Sequence, residues 1–267
     1  MSKAIPFAVL LGGLAIGLAG AGPDDELEAY LAAQKRLIDD PRRTLAERAR
    51  TALEMAGALD RAALRAEDSG RRHALWAEAA ARLDGFTARN PGHSQAAAFA
   101  LQAAVYRWAQ ARSGIQQLER TPTDAPTRDQ ARAVLDDAIA QLQALAEPAR
   151  AADDPLAQNV RYRLAQALAD RATLTEDDAD AARLAREQAL ECLGRPITET
   201  GLRGFAELLR ADLLAALGRF DDAQAALDAA AKANPPPPAA ERLAVRTAIA
   251  IGRTRFDEAL RAIEAAP

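Results

Sequence analysis

The segment Gly218-Arg219-Phe220-Asp221-Asp222-Ala223 returns as Thr254-Arg255-Phe256-Asp257-Glu258-Ala259, 36 residues later when counted from Phe220 to Phe256. A recurrence at a fixed period predicts one supersecondary unit used more than once, each copy burying its apolar face on the next. Both copies continue at helical spacing, through Leu227 and Ala230 in the first and Ile263 and Ala266 in the second. The helix before the first copy offers Ala211 and Leu214, with Gly218 placed to turn the chain. Small side chains let two helices approach closely, while large ones fill the groove to the next pair. A more diverged copy runs through Trp76, Ala79, Leu83 and Pro91, followed by Phe99, Ala103 and Tyr106. Its Trp76-to-Pro91 distance equals the Phe220-to-Pro235 distance. Leu164, Ala165 and Leu168 match in part.

Local chemistry agrees with a helical unit. Ala and Leu dominate the apolar half of the chain and β-branched residues are scarce, a bias toward helix and away from strand. Eleven helices are predicted, at 24–38, 42–66, 71–89, 93–119, 126–146, 155–172, 177–193, 200–217, 220–233, 238–252 and 255–265, with no strand. Asp40-Pro41 and Asp154-Pro155 read as a capping acceptor before a first-turn proline, with Ser69, Ser94 and Thr175 with Asp178 as further starts. Asn90-Pro91-Gly92, Gly194-Arg195-Pro196 and Asn234-Pro235 read as stops. Ala131, Leu135, Ile139 and Leu142 form a clean apolar stripe; Phe99, Ala103 and Tyr106 form a shorter one that ends at polar Gln110. Short breaks between helices predict antiparallel neighbours. The four prolines from Pro235 to Pro238 are read as a spacer between units rather than a domain linker.

The order of aromatic, alanine three later and large apolar seven later, with a turn glycine before it and a proline after it, resembles the tetratricopeptide-repeat family. The resemblance is strong over residues 200–267, moderate over 71–110 and only a helix-pair pattern between. Phe86 stands where the family has a small residue, and the hairpin 93–146 is longer than the family unit. The resemblance implies an all-α fold over residues 24–267: a right-handed superhelical stack of antiparallel helical hairpins, or α-solenoid. It also implies a concave peptide groove lined by Phe205, Leu208, Asp212, Ala215 and Ala216, although Phe205 and Leu208 fit packing between hairpins equally well. The family's carboxylate clamp of Lys and Asn has no counterpart here.

Residues 1–21 read as a secretory signal peptide: Lys3, an uncharged run from Ala4 to Ala21, and small residues Ala19 and Ala21 before Gly22-Pro23. The competing reading is an uncleaved anchor over residues 4–21, which Pro6 and four glycines disfavour. Ala21 stands where a lipobox needs cysteine. Cleavage takes the net charge from −4 to −5, by loss of Lys3. The expected location is the bacterial periplasm or another extracytoplasmic space.

Chemistry-bearing clusters are absent from the pattern. A net charge of −4 and 4% aromatic content argue against nucleic-acid binding. The Arg bias, with Lys only at Lys3, Lys35 and Lys232, reads with the Ala richness as the mark of a GC-rich bacterial genome rather than as an arginine recognition surface. His73 and His93 lack a second histidine at metal-ligand spacing. The doublets Asp39-Asp40, Asp136-Asp137, Asp153-Asp154, Asp177-Asp178 and Asp221-Asp222 sit mostly at helix starts, where negative charge suits the dipole. Cys192 faces with Ala185 and Ala189 as a small hydrophobe. Trp76 and Trp108 read as packing residues. No catalytic, cofactor or metal site is expected.

The functional expectation is a non-enzymatic scaffold binding protein or peptide in the cell envelope. Two alternatives stand beside it. One is the helical portion of an extracytoplasmic cell-wall enzyme. The other is a structural oligomer that pairs through an uncapped C-terminal hairpin.

Overall fold

The computed structural model describes residues 23–121, 123–146 and 154–264. The signal or anchor segment, residues 1–21, lies outside them. Among the described residues all regular structure is helical: α1 Pro23–Asp39, α2 Leu45–Arg65, α3 Ser69–Arg89, α4 Ala96–Arg120, α5 Ala125–Ala146, α6 Pro155–Leu174, α7 Ala179–Cys192, α8 Thr200–Ala216, α9 Phe220–Ala231 and α10 Ala239–Glu264. The first nine fall within a few residues of their predicted bounds.

The tenth corrects the prediction. Residues 238–252 and 255–265 were expected as two antiparallel helices, but α10 runs straight through the proposed turn. One part of the reason lies in the residue at the turn. Gly218 adopts φ +74°, in the left-handed region that costs L side chains energy. That conformation lets Arg219 N donate to Leu214 O at 2.9 Å and Gly218 N to Ala215 O at 3.0 Å, the two bonds of a Schellman stop. The corresponding residue in the second copy is Thr254. A β-branched residue does not enter that region readily, so the helix continues. Among the described residues the C-terminal segment is therefore one helix where a hairpin was expected.

Helix starts follow the capping chemistry, with three shifts. Asp154 accepts from Leu156 N at 3.0 Å and Asp178 from Ala181 N at 3.0 Å, as expected. In α2 the cap is Thr44 rather than Asp40. Glu47 N donates to Thr44 Oγ1 and Thr44 N to Glu47 Oε2, a reciprocal capping box. Asp68, one residue before Ser69, caps α3 through Arg71 N. Before α4, His93 Nδ1 rather than Ser94 takes the donor, Gln95 N, at 3.2 Å.

The core divides into three clusters in chain order. The first joins α1 to α4 through Leu59, Leu83 and Phe99. The second joins α4 to α8 through Leu135, Leu142 and Val160. The third joins α8, α9 and α10 through Leu214, Leu227 and Ile249. The stripe Ala131, Leu135, Ile139 and Leu142 is buried throughout. Each helix packs on its successor, and α4 also touches α6, α6 touches α8 and α8 touches α10. Pro237 is fully buried beside Gly204 of α8, so the proline tract is a packed connection between α9 and α10.

Candidate functional site

The expected groove residues divide between core and surface. Leu208 is 7% exposed within the third cluster, and Phe205 packs against the second. Their i, i+3 spacing on α8 places them toward neighbouring helices. Asp212, Ala215 and Ala216 come together on the wall of an open cleft of about 400 Å³, facing Ala248, Ile251 and Gly252 of α10 with Phe220 at its end. Ile251 is 50% exposed, an apolar side chain left at the cleft's edge. Asp212 is open to solvent yet hemmed in by protein. The loss of water around it raises its carboxyl pKa, and the Arg186 guanidinium partly offsets that.

A tighter polar cluster lies on α4 and α6. Trp108 on α4 donates its indole N–H to Asp170 Oδ2 on α6 at 2.7 Å. The Arg112 guanidinium carbon stands 5.2 Å from the centre of the Trp108 ring, and that of Arg163 stands 5.8 Å from it. Arg163 also lies 5.4 Å from the Tyr162 ring. Gln166 ties the group together, accepting from Arg163 at 2.9 Å and donating to the Tyr162 hydroxyl at 3.1 Å. Helical spacing explains the convergence: Trp108 and Arg112 are one turn apart on α4, and Tyr162, Gln166 and Asp170 are successive turns of α6.

Burial dominates the electrostatics of this cluster. Burial lowers the Arg163 pKa, so its charge is held with little water around it. Burial raises the Asp170 carboxyl, against the pull of Arg112 and of the Trp108 hydrogen bond. Tyr162 is raised by burial, opposed by Arg163 and reinforced by Glu241 on α10. Among the described residues neither Arg112 nor Arg163 has a carboxylate within 4 Å. Two cations thus meet one aromatic ring, with Asp170, bonded to the indole and drawn by Arg112, beside them and Glu241 acting on Tyr162.

The other candidates from the sequence serve the framework. Trp76 donates to Asp60 on α2 at 2.8 Å and is buried. His93 packs between Phe86 and Phe99, with ring centres 6.0 and 5.8 Å away. His73 is half-buried, and desolvation, with Arg72 nearby, lowers its pKa. Cys192 packs against the second cluster, and burial pushes its thiol up to about 11, which suppresses the reactive thiolate. Asp136, Asp221 and Asp222 pair with Arg171, Arg253 and Arg219. Among the described residues no three His, Cys, Asp or Glu side chains gather in a way that could hold a metal ion.

Sequence reasoning placed Trp108 in the core but missed its partners. The Arg112 spacing was legible; Asp170 and Arg163 lie on another helix, and nothing local in the sequence joins them to Trp108. No protein-family model matches the chain, and no curated protein matches it in sequence.

Proposed function

We propose that this chain is a non-enzymatic scaffold of the bacterial cell envelope, built as a tetratricopeptide-like stack of helical hairpins and binding protein or peptide. The observation that carries the reading is the succession of α4, α6, α8 and α10, each touching the next while α5, α7 and α9 pack as their partners. Such a succession makes one broad face from alternate helices, the surface on which helical-repeat proteins seat extended or helical segments. On that face the α8–α10 cleft is lined by Ala215, Ala216, Ala248 and Gly252 together with Asp212, Phe220 and Ile251, and its small residues let a partner backbone approach closely. Export through residues 1–21 is part of the reading. Among the described residues no helix is long and apolar enough to cross a membrane.

The test uses the mature chain as bait in envelope extract, beside a variant in which Ala215→Trp and Ala216→Trp fill the cleft. A discrete partner captured by the wild type and lost from the variant is the expected result. Equal capture by both, or hydrolysis of cell-wall material by the purified chain, overturns the proposal.

A further inference from the structure

We infer that the outward face of α10 is a homodimer interface, on which a second copy of this chain lays its own α10 antiparallel about a two-fold axis at Thr247. α10 packs on α8 and α9 through Val245 and Ile249. Opposite them Ala240, Leu243, Thr247, Ala250 and Thr254 follow one another at alternating steps of three and four, the seam spacing of paired helices. All five are exposed, as are Ala244 and Ile251 beside them, and none is charged. Leu243 is 60% and Ile251 50% exposed, two of the few large apolar side chains that the described residues leave in water. The charges of this stretch lie elsewhere. Glu241 and Arg253 share the i, i+4 row of Val245 and Ile249, and Arg242 and Arg246 run along one flank. Arg253 turns to Asp221 of α9 at 2.7 Å. Both hydroxyls on the face are engaged within the helix, Thr247 Oγ1 donating to Leu243 O at 2.9 Å and Thr254 Oγ1 to Ala250 O at 3.0 Å. A partner therefore meets methyl groups rather than unmet donors.

The face complements itself, as a closed two-fold contact requires. Antiparallel pairing about Thr247 brings Leu243 level with Ile251 of the second copy, Ala244 with Ala250 and Ala240 with Thr254. Small residues then lie at the centre, where the helices cross closest, and the large ones interlock on either side. Over residues 239–254 the face is about 24 Å long, at about 1.5 Å per residue. Two such faces bury on the order of 800 Å², less than a standard interface, so the dimer is weak, with a Kd on the order of 100 µM. Arg246 of both copies falls on the same rim near the axis, and salt screens that repulsion. The proposal does not rest on the scaffold reading.

Sedimentation equilibrium of the full mature chain, from about 1 to about 500 µM, tests it. The expected result is a monomer–dimer equilibrium with no larger species, tightening a few-fold between about 50 and about 300 mM salt. Thr247→Glu at the axis and Leu243→Glu beside it weaken association at least about tenfold, while Leu184→Glu, at a comparably exposed leucine on α7, leaves it unchanged. All three positions are exposed, so circular dichroism of the variants should match wild type. Oxidative cross-linking in a Cys192→Ala background reads the register. Thr247→Cys cross-links with itself, and Leu243→Cys cross-links faster with Ile251→Cys than with itself, because antiparallel copies separate the two 243 positions by about 12 Å along the axis. A chain that stays monomeric across the range, association unmoved by both glutamate variants, weakening with salt, or Leu243→Cys pairing with itself as fast as with Ile251→Cys overturns the proposal. Monomer throughout, with an envelope protein captured by wild type and lost from Leu243→Glu, assigns the face to a different partner and overturns it as well.

Discussion

Residues 200–231 and residues 239–264 carry the same motif and fold differently. In the first region α8 stops at Gly218 and α9 folds back, closing a hairpin around Leu214 and Leu227. In the second the helix passes Thr254 unbroken. The second copy has a glycine too, but two residues earlier, at Gly252. There it serves contact rather than turning: a Cβ at Gly252 would fall 2.3 Å from the Phe220 ring. Arg253 then reaches back to Asp221 at 2.7 Å. The aromatic of the first copy is thus seated on the helix of the second. A repeat read from sequence gives the period of the packing surface; whether each copy turns needs both a position able to leave the right-handed region and packing that draws the next helix back.

The largest expected difference between the two regions is in core burial. Leu227 is 1% exposed and closes the hairpin, whereas Leu243 on α10 is 60% exposed. Leu227→Ala is expected to lower stability by about 2–5 kcal/mol in urea unfolding, through lost transfer energy and a cavity. Leu243→Ala should change it by less than about 0.5 kcal/mol, as exposed substitutions do. Similar losses from both would mean that α10 buries as much as the hairpin.

Next comes the contact that joins them. Gly252→Ala gains about 1 kcal/mol of helix propensity but sets a methyl against the Phe220 ring, and overpacking of this kind costs about 1–3 kcal/mol. At 2.3 Å the clash dominates, so the expected net effect is a loss of up to about 2 kcal/mol. The double variant Gly252→Ala with Phe220→Ala should recover the propensity gain, giving a coupling energy of opposite sign to the single effect. A stabilising Gly252→Ala on its own would show that α10 does not seat Phe220.

The turn itself is worth less. Gly218→Ala forces an L side chain into the left-handed region, an expected loss of about 1 kcal/mol by thermal or urea unfolding. A neutral result would mean the α8–α9 turn is set by packing alone.

How much of this was legible follows the range of the forces. Helix existence was readable because propensity, capping and apolar spacing act within a few residues. The stripe Ala131–Leu135–Ile139–Leu142 is buried as read. The caps of α2 and α3 slipped because Thr44 competes with Asp40 four residues earlier and Asp68 with the adjacent Ser69, and sequence does not rank acceptors so close. The α10 turn was misread because Phe256, Asp257 and Ala259 reproduce the motif while the residue that decides the turn does not. The residues expected in a groove lie in two places. Asp212, Ala215 and Ala216 share a cleft, while Leu208 went to the core through the i, i+3 and i+4 spacing that also made it a groove candidate. Of the Trp108 cluster only the Arg112 spacing was legible, because Asp170 lies 62 residues away and meets the indole only once α4 and α6 pack.

The smallest effect sharpens the comparison most. Thr254→Gly restores the glycine that the first copy has, at a cost of only a few tenths of a kcal/mol in helix propensity. It also removes the hydroxyl that donates to Ala250 O at 3.0 Å. A glycine permits the left-handed stop but does not draw the following helix back; in the first copy that pull comes from Leu227 and Ala230 against Leu208, Ala211 and Leu214. The expected outcome is a helix that stays continuous, with amide exchange after residue 254 several-fold faster. If exchange instead shows two protected helices separated by an open turn, the glycine alone decides between the two forms. The 36-residue period would then be a complete hairpin repeat, held open in this chain by one threonine.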